Sequence, residues 1–171
     1  MTYSSSGVGS MGHLFAESFA HKAGIKVEHV PYKGASQGLM DLVGGHIGFA
    51  AQTVTSTTAL LRGGQVIGLA HTGSDRMAAY PDLPTFKELG FADQVSTTWF
   101  SLSGPAGLPP AIVETVNREI GRAMSKPETR ERLHQDGMVT EPMTPAEFRA
   151  FIAAETARWK PVAERANLIE R

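Results

Sequence analysis

The sequence predicts an α/β protein in which short, mainly parallel strands alternate with crossover helices, followed by a helical carboxyl-terminal part. β-like and helix-like segments alternate as far as Ala70. That alternation favours parallel strands joined by crossover helices. The composition agrees, because 42% hydrophobic and 19% charged residues in a chain of 171 are typical of a globular protein.

Three β-like runs and the helical patterns between them make up the amino-terminal part. The runs are Lys26–Val30, Ile47–Ala51 and Val66–Ala70, and the helical patterns begin near Ser10, Ala35 and Thr55. The pairs Gly44-Gly45 and Gly63-Gly64 follow two of these helices, where glycine can adopt the left-handed conformation that closes a helix. The glycines therefore mark the ends of the second and third predicted helices.

Further elements are predicted between Ala70 and the end of the chain. A capping box of Thr85 and Glu88 predicts a short helix, and Thr97–Leu102 predicts another strand before the stiff loop Gly104–Pro110. Thr144, Pro145 and Glu147 form a second helix-start signal. Two helical apolar stripes follow the loop: Ile112, Val113, Val116, Ile120 and Met124, then Phe148, Phe151, Ile152, Trp159 and Val162. Only the short β-like run Met138–Thr140 lies among them, so these helix faces have no predicted sheet to cover.

Composition and charge exclude several function classes. The formal net charge is −1, from 16 basic and 17 acidic residues scattered along the chain, so no basic stripe is predicted to bind nucleic acid. Cysteine is absent, which excludes disulfides and thiolate chemistry. No apolar run approaches the ~20 residues of a membrane span. The start Met1–Ser5 lacks the regions of a signal peptide, so the chain as written is not expected to be exported.

The segment Ser4–Gly12, between a β-like start and an amphipathic helix, is the first candidate site. Its glycines permit close backbone approach, its hydroxyls add donors, and the free amides of the helix start carry partial positive charge. A carboxylate would fit there. The same residues would also serve as a simple capped turn, and the pattern leaves both interpretations open.

Gly7, Gly9 and Gly12 also match the dinucleotide fingerprint G-x-G-x-x-G, so a nicotinamide-dependent oxidoreductase is an alternative. The fingerprint requires an acidic residue at the end of the second strand, whereas Glu28 lies inside that run. The start Thr2–Ser5 is, in addition, too polar for a buried central strand. We therefore predict no cofactor and no enzymatic activity.

A second helix start, Pro31–Ser36, has the same features: a strand ends, a glycine turns the chain, and Ser36 is predicted to cap the following helix. Parallel strands end at one edge of a sheet, so both helix starts should converge on the crevice where open α/β sheets bind ligands. Lys33 can offer a charge and Tyr32 an aromatic wall, although solvation and packing are the ordinary roles of these residue types.

The histidines suggest neither a metal nor a catalytic triad. His13, Glu17 and His21 share one helix face, but without a further ligand cluster an exposed polar face is preferred, and no metal site is predicted. The others are dispersed, and their spacing assembles no Ser–His–acid set: His29, His46, His71 and His134.

Six motifs follow one another in order: Tyr3–Ser10, His29–Gly34, Asp41–Gly45, Asp75-Arg76, Pro81–Thr85 and the segment from Trp99 to Pro109. This series resembles the Bug family, the TctC-like substrate-binding receptors of tripartite tricarboxylate transporters. The resemblance extends from Tyr3 to about Leu168, and the ordered series is more specific than any one motif.

The resemblance implies a lobe of the type II periplasmic-binding-protein fold, from a receptor that closes on a small carboxylate and delivers it to membrane subunits. The ligand would be a dicarboxylate, an amino acid or an aromatic acid, bound largely by loop and helix-start amides. The ligand-binding positions carried over are Ser5, Ser6, Gly7, Gly9 and Ser10 in the first loop, Tyr32, Lys33, Gly34, Ala35 and Ser36 in the second, and Gln52 and Thr53 after the third strand.

Members of this family normally carry a signal peptide and further opening strands that this sequence does not show. On that basis we predict a ligand-binding α/β lobe at residues 1–98. Residues 99–171 would be the return strand and helices of a second, truncated lobe. The apolar helix faces would then be exposed, and self-association would cover them. A self-associating module without a working ligand site is the third hypothesis.

Overall fold

The computed structural model describes residues 1–135 and 137–169. Strands and helices alternate in the first part of the chain, as predicted, and helices follow in the last part. In chain order the elements are β1 (Thr2–Ser4), α1 (Met11–Ala23), β2 (Glu28–Val30), α2 (Ala35–Val43), β3 (Phe49–Ala50), α3 (Val54–Arg62), α4 (Pro110–Ser125), α5 (Pro127–Gln135) and α6 (Pro145–Arg165).

The three strands form a parallel sheet with β1 in the centre, in the order β2-β1-β3. Tyr3 pairs with His29 of β2 on one side and with Phe49 of β3 on the other. Its side chain is fully buried, and its ring stacks on that of Phe49 with 5.1 Å between ring centres. The expectation that Thr2–Ser5 is too polar for a central strand is therefore wrong.

Close approach of two helices explains why this polar strand is central. A Cβ atom on Gly38 of α2 would lie 2.7 Å from Ser4 Oγ, and one on Gly12 of α1 would lie 3.4 Å from the Cβ of Ser5. Larger apolar side chains at the two serine positions would push these helices away from the sheet. Both serines are fully buried, so available space rather than hydropathy decides the residue type here.

Helix α1 has well-defined ends and one aromatic side. The hydroxyl of Ser10, the N-cap, accepts from the N–H of His13 at 3.4 Å, and Gly24 closes the helix with a φ of +66°. Four phenylalanine rings pack between α1 and the segment that follows residue 71, with adjacent ring centres 4.9 to 6.5 Å apart. These rings belong to Phe15, Phe19, Phe86 and Phe91.

Glycine also ends α2 and α3, as the sequence predicts, and the second glycine of each pair adopts the left-handed conformation. The φ angles are +73° at Gly45 and +65° at Gly64. This conformation lets the next N–H turn back to a free carbonyl of the last helical turn, as His46 does to Asp41 at 2.8 Å.

Three predicted strands are not formed in the described part of the chain: Val66–Ala70, Thr97–Leu102 and Met138–Thr140. A strand needs a neighbour that satisfies its backbone groups. Near the first of these runs, the sheet pairing that the structure shows is an isolated parallel bridge between His71 and Thr85. Ile67 is 82% exposed, so this run is apolar but has no sheet on which to pack.

Both predicted capping boxes form. The N–H of Thr85 donates to the carboxylate of Glu88 at 2.8 Å, and the N–H of Thr144 donates to that of Glu147 at the same distance. These backbone hydrogen bonds are the main cause of the lowered pKa of both glutamates. The second box starts α6, as predicted. The first closes only a turn that ends at Gly90, so the predicted short helix there is not formed.

The chain divides into two compact units, Met1–Thr98 with the residues from Trp159 onward, and Trp99–Arg158. In the first unit Trp159 and Val162 are buried. In the second, Trp99 makes edge-on ring contacts with two phenylalanines of α6. The predicted assignment of residues 1–98 and 99–171 to a ligand-binding and a truncated lobe stays a prediction. Among the described helices, none has the length and apolar character needed to cross a membrane.

Candidate functional site

Three loops meet at the carboxyl edge of the sheet. β1 continues into Ser5–Ser10, β2 into 31–34 and β3 into 51–53, and parallel strands place these loops at one edge. The chain moves from β1 outward to β2 and then across to β3, so the strand order reverses at β1. Open α/β sheets bind ligands in the crevice at such a reversal.

Ser5 organises the first loop. Its hydroxyl donates to the carbonyl of Gly7 at 2.9 Å, accepts from the N–H of Gly7 at 3.2 Å and from the hydroxyl of Ser10 at 3.1 Å, and lies 2.9 Å from His29 Nε2. Because Ser5 is fully buried, these bonds are made away from water. These hydrogen bonds fix the shape of the loop.

Helix α1 points its amino end at this loop. Ser10 satisfies two of the first amides, because its hydroxyl accepts from His13 and its carbonyl accepts from Leu14. The earlier amides, starting at Met11, have no carbonyl partner one turn back within the helix. Together with the helix dipole, they make the loop suitable for an anion.

The first and third loops are linked directly. Ser6 donates its hydroxyl proton to Gln52 Oε1 at 2.7 Å, which fixes the orientation of that amide. The Gln52 Nε2 atom is buried and has no hydrogen-bond partner within the described residues. Thr53 is the N-cap of α3, and its hydroxyl bonds to Ser56 at 3.1 Å. The structure thus brings Ser6 and Gln52, two of the positions carried over from the family, within hydrogen-bond distance of each other.

The second loop differs from its prediction in one detail. Gly34, not Ser36, is the N-cap of α2, and the helix begins at Ala35, so Ser36 lies in its first turn. Gly34 has φ +125° and ψ 169°, a conformation open essentially only to glycine, which turns the chain straight from β2 into the helix. Among the described residues no side chain caps α2, so its first amides, at the same edge of the sheet as those of α1, have no side-chain partner.

The two side chains predicted to frame the second loop have different roles. Tyr32 donates its phenol proton to Asp41 Oδ2 at 2.6 Å, and this bond is the main cause of the raised pKa of Tyr32. The ring is thereby held against α2. Lys33 is exposed.

Sequence reasoning missed a pair of stacked histidines below the first loop. The rings of His13 and His29 lie 3.8 Å apart with 21° between their planes. His13 Nδ1 accepts from the N–H of Gly9 at 3.2 Å. His13 is 5% exposed, whereas His21 is exposed, so the face predicted for His13, Glu17 and His21 is only partly solvated. No sequence pattern links His13 to His29, because His13 lies on helix α1 and His29 on strand β2.

Two chemical interpretations of this region are excluded by geometry. Ser5 and His29 are within hydrogen-bond distance, but the Ser5 hydroxyl is fully buried and already bonded to its own loop, so no substrate can reach it. Glu28 begins β2 and pairs with Thr2, at the amino end of the sheet. The acid that a dinucleotide fingerprint requires belongs at the opposite end of that strand.

Comparison with solved structures defines the class of protein. The structure of Rpa4515 from R. palustris with adipate superposes with a TM-score of 0.90 and 30% identity, over 98% of this chain and 56% of that chain. MatC from Rhodopseudomonas palustris with bound malate gives a TM-score of 0.83 and 25% identity, over 95% and 56%. The fold is that of periplasmic solute-binding proteins, so the predicted fold class is confirmed.

The sequence identifies the family within that class. The pattern of the tripartite tricarboxylate transporter family receptor, TctC, matches residues 1–168. The protein BugT of Bordetella pertussis is 33% identical over 155 residues, which are 91% of this chain and 48% of BugT. The chain belongs to the TctC receptor family, and the resemblance to Bug receptors is confirmed. It spans about half the length of these relatives.

Proposed function

We propose that this chain is part of an extracytoplasmic receptor that binds a small carboxylate at the carboxyl edge of its sheet. The observation that carries the proposal is the convergence of three loops at the strand-order reversal, with Ser6 hydrogen-bonded to Gln52 across it. Adipate and malate accompany the two similar structures, and both are dicarboxylates.

The proposed contacts to the ligand divide by chemistry. Amides at the starts of α1 and α2 would bind carboxylate oxygens, since donors that point at an anion need no side-chain charge. Hydroxyls and the Gln52 amide would add directed hydrogen bonds, and Lys33 would contribute a solvated charge. The positions are those predicted: Ser5, Ser6, Gly7, Gly9, Ser10, Tyr32, Lys33, Gly34, Ala35, Ser36, Gln52 and Thr53. We assign Ser5 a supporting role, because its hydroxyl is buried.

The family also supports a place in transport. TctC receptors are periplasmic and work with the membrane subunits of tripartite transporters. We propose the same location and partners for the protein to which this chain belongs. The role assigned to the chain is recognition of the ligand, with no chemical change to it.

Adipate and malate should raise the melting temperature of the chain, whereas adipamide, a neutral analogue of adipate, should not. A ligand that binds the native state stabilises it by mass action, and at about 100 times Kd the gain is about 2.7 kcal/mol. A thermal-shift titration up to millimolar acid, repeated by calorimetry, measures this effect. Equal shifts with acid and amide would contradict carboxylate recognition.

Gly34→Ala tests whether the second helix start is used, and Gly64→Ala is its matched control. Both glycines have positive φ and open space around the position of a Cβ atom, so each variant adds backbone strain but no clash. Only Gly34 lies at the proposed site. We expect both variants to lose some stability and only Gly34→Ala to lose acid binding, by roughly tenfold or about 1.4 kcal/mol.

We further propose that the chain self-associates through α4. Four residues on one side of this helix are 38 to 48% exposed, and a stripe of this kind is typical of a protein interface. They are Ile112, Val116, Ile120 and Met124.

Light scattering should therefore give the mass of a dimer for the unmodified chain. Val116→Glu should shift it to a monomer, because a charge in an apolar interface is costly to bury. Thr115→Glu, which adds the same charge outside the stripe, should remain dimeric. A dimer that binds no acid would favour the self-associating module, and a monomeric unmodified chain would contradict self-association.

A further inference from the structure

His13 and His29 each contact the first loop from below. The N–H of Gly9 donates to His13 Nδ1 at 3.2 Å, and His29 Nε2 lies 2.9 Å from the hydroxyl of Ser5. With their rings 3.8 Å apart, the two imidazoles form one support under the loop. The proposed ligand contacts lie on the loop, and the histidines lie behind it.

One hydrogen bond fixes where the proton of His13 lies. His13 Nδ1 accepts a hydrogen bond from the N–H of Gly9, so the ring carries its own proton on Nε2, which lies 4.0 Å from Glu17 Oε1. His13 is therefore neutral in this arrangement. His29 Nε2 is hydrogen-bonded to the Ser5 hydroxyl at 2.9 Å, and the tautomer of the His29 ring decides which of the two atoms donates.

Protonation would disturb this arrangement at a defined atom. A second proton on His13 must go to Nδ1, where it would face the N–H of Gly9 and remove its acceptor. A second proton on His29 would place a positive charge against the stacked ring of His13. Either event acts on the loop or on its direct support.

The surroundings offer little compensation for two positive charges. Tyr3 of β1 lies against both rings, with centres 6.3 Å from His13 and 5.0 Å from His29. Glu17 of α1 is the acidic group that faces the pair among the described residues, and it already accepts a hydrogen bond from the Tyr3 hydroxyl at 2.8 Å. Phe49 of β3 packs on the far side of Tyr3 and does not titrate.

We propose that His13 and His29 form a pH-sensitive support for the first loop. The loop holds its ligand-binding shape only while both imidazoles are neutral. This deepens the proposed function and rests on it for the ligand measurement. In this role the two residues position the loop and do not touch the ligand.

The surroundings of both rings favour their neutral forms. Burial lowers the pKa of both histidines from the ordinary 6.5, the neighbouring His13 lowers that of His29 further, and Glu17 opposes these effects. A lowered pKa in the folded state means that the unfolded chain binds more protons. The stability present above pH 6.5 is therefore lost as pH falls below 6.5 through the lowered pKa values.

The test combines a loop readout with a ligand readout. Nuclear magnetic resonance gives the exchange protection factor of the Gly9 amide at about pH 7.5 and pH 5.5, and calorimetry gives the Kd of adipate at both. We expect protection to fall, and Kd to rise, by roughly twofold to fivefold in the unmodified chain at the lower pH, since a lowered pKa gives less than the tenfold change of an unshifted histidine. In His13→Gln, whose amide oxygen can accept from Gly9 at any pH, both ratios should fall clearly below those of the unmodified chain, leaving only the part that His29 contributes.

His71→Gln is the matched control. His71 is also buried, and its Nδ1 also accepts a glycine N–H, from Gly73 at 3.2 Å, but it lies outside the three loops. Its variant should keep the pH dependence of the unmodified chain. Titration of adipate itself is common to all three proteins and cancels in the comparison.

The outcomes separate the two proposals. A Gly9 protection factor that does not change with pH in the unmodified chain overturns the switch. A Kd for adipate that rises by the same factor in His13→Gln as in the unmodified chain also overturns the switch. A Kd that falls at the lower pH overturns it as well, because attraction between an imidazolium and the ligand carboxylate would produce that result. If the Gly9 amide responds to pH while adipate binds at neither value, the switch is supported and the proposed carboxylate site fails.

Discussion

Gly12→Ala should destabilise the chain by about 2 kcal/mol or more, because the added methyl group would overlap backbone. A Cβ atom at this position would lie 2.1 Å from the carbonyl oxygen of Ala51, which follows β3. That oxygen is held in place, since the N–H of Ala51 donates to Ser4 of the central strand at 2.8 Å. Helix α1 would have to move away from the site. Thermal unfolding should show a Tm lowered by roughly 4–8 °C.

Gly121→Ala separates this clash from a general effect of alanine in a helix. Gly121 lies in α4, and a Cβ atom there would meet no described atom within 4 Å. Alanine loses less backbone entropy than glycine, so this variant should gain about 0.5–1 kcal/mol. A Gly12→Ala protein as stable as the unmodified chain would show that α1 is not packed against the third loop as described.

Local signals predicted the helix starts and ends well. Capping boxes, glycine pairs and prolines act within a few residues, and both capping boxes and the left-handed ends at Gly45 and Gly64 are found where the sequence placed them. Pairing of strands depends on distant residues. The apolar run Val66–Ala70 has the composition of a strand, but composition cannot show whether a neighbouring strand is present.

The candidate site divides in the same way. Glycine and serine at the ends of two strands are a local pattern that the sequence shows directly. A parallel sheet brings the two loops that follow these strands to one edge, so their convergence could be predicted. The link between Ser6 and Gln52 depends on the strand order, which the sequence gives only through the crossover rule. The stacking of His13 on His29 could not be predicted, because it depends on the register of β2 and the rotation of α1.

Ser5→Ala should cost on the order of 2 kcal/mol in the free energy of unfolding and weaken carboxylate binding by roughly tenfold. The substitution leaves the Gly7 N–H, the Ser10 hydroxyl and His29 Nε2 without the oxygen to which they bond. A buried donor without an acceptor pays the cost of its desolvation, so the loss exceeds that of a solvent-exposed hydrogen bond. Denaturant unfolding and adipate calorimetry measure the two effects separately.

Ser6→Ala is the informative comparison, because it removes the next hydroxyl in the same loop. Ser6 is exposed and bonds to Gln52, so its loss should change stability by no more than about 0.5 kcal/mol and act mainly on binding. Comparing the loss of stability with the loss of binding in each variant then distinguishes a residue that supports the loop from one that contacts the ligand. If Ser5→Ala were as stable as Ser6→Ala, the buried hydroxyl would not be the centre of the loop. The fixed shape of the loop would then have to come from the helix start alone.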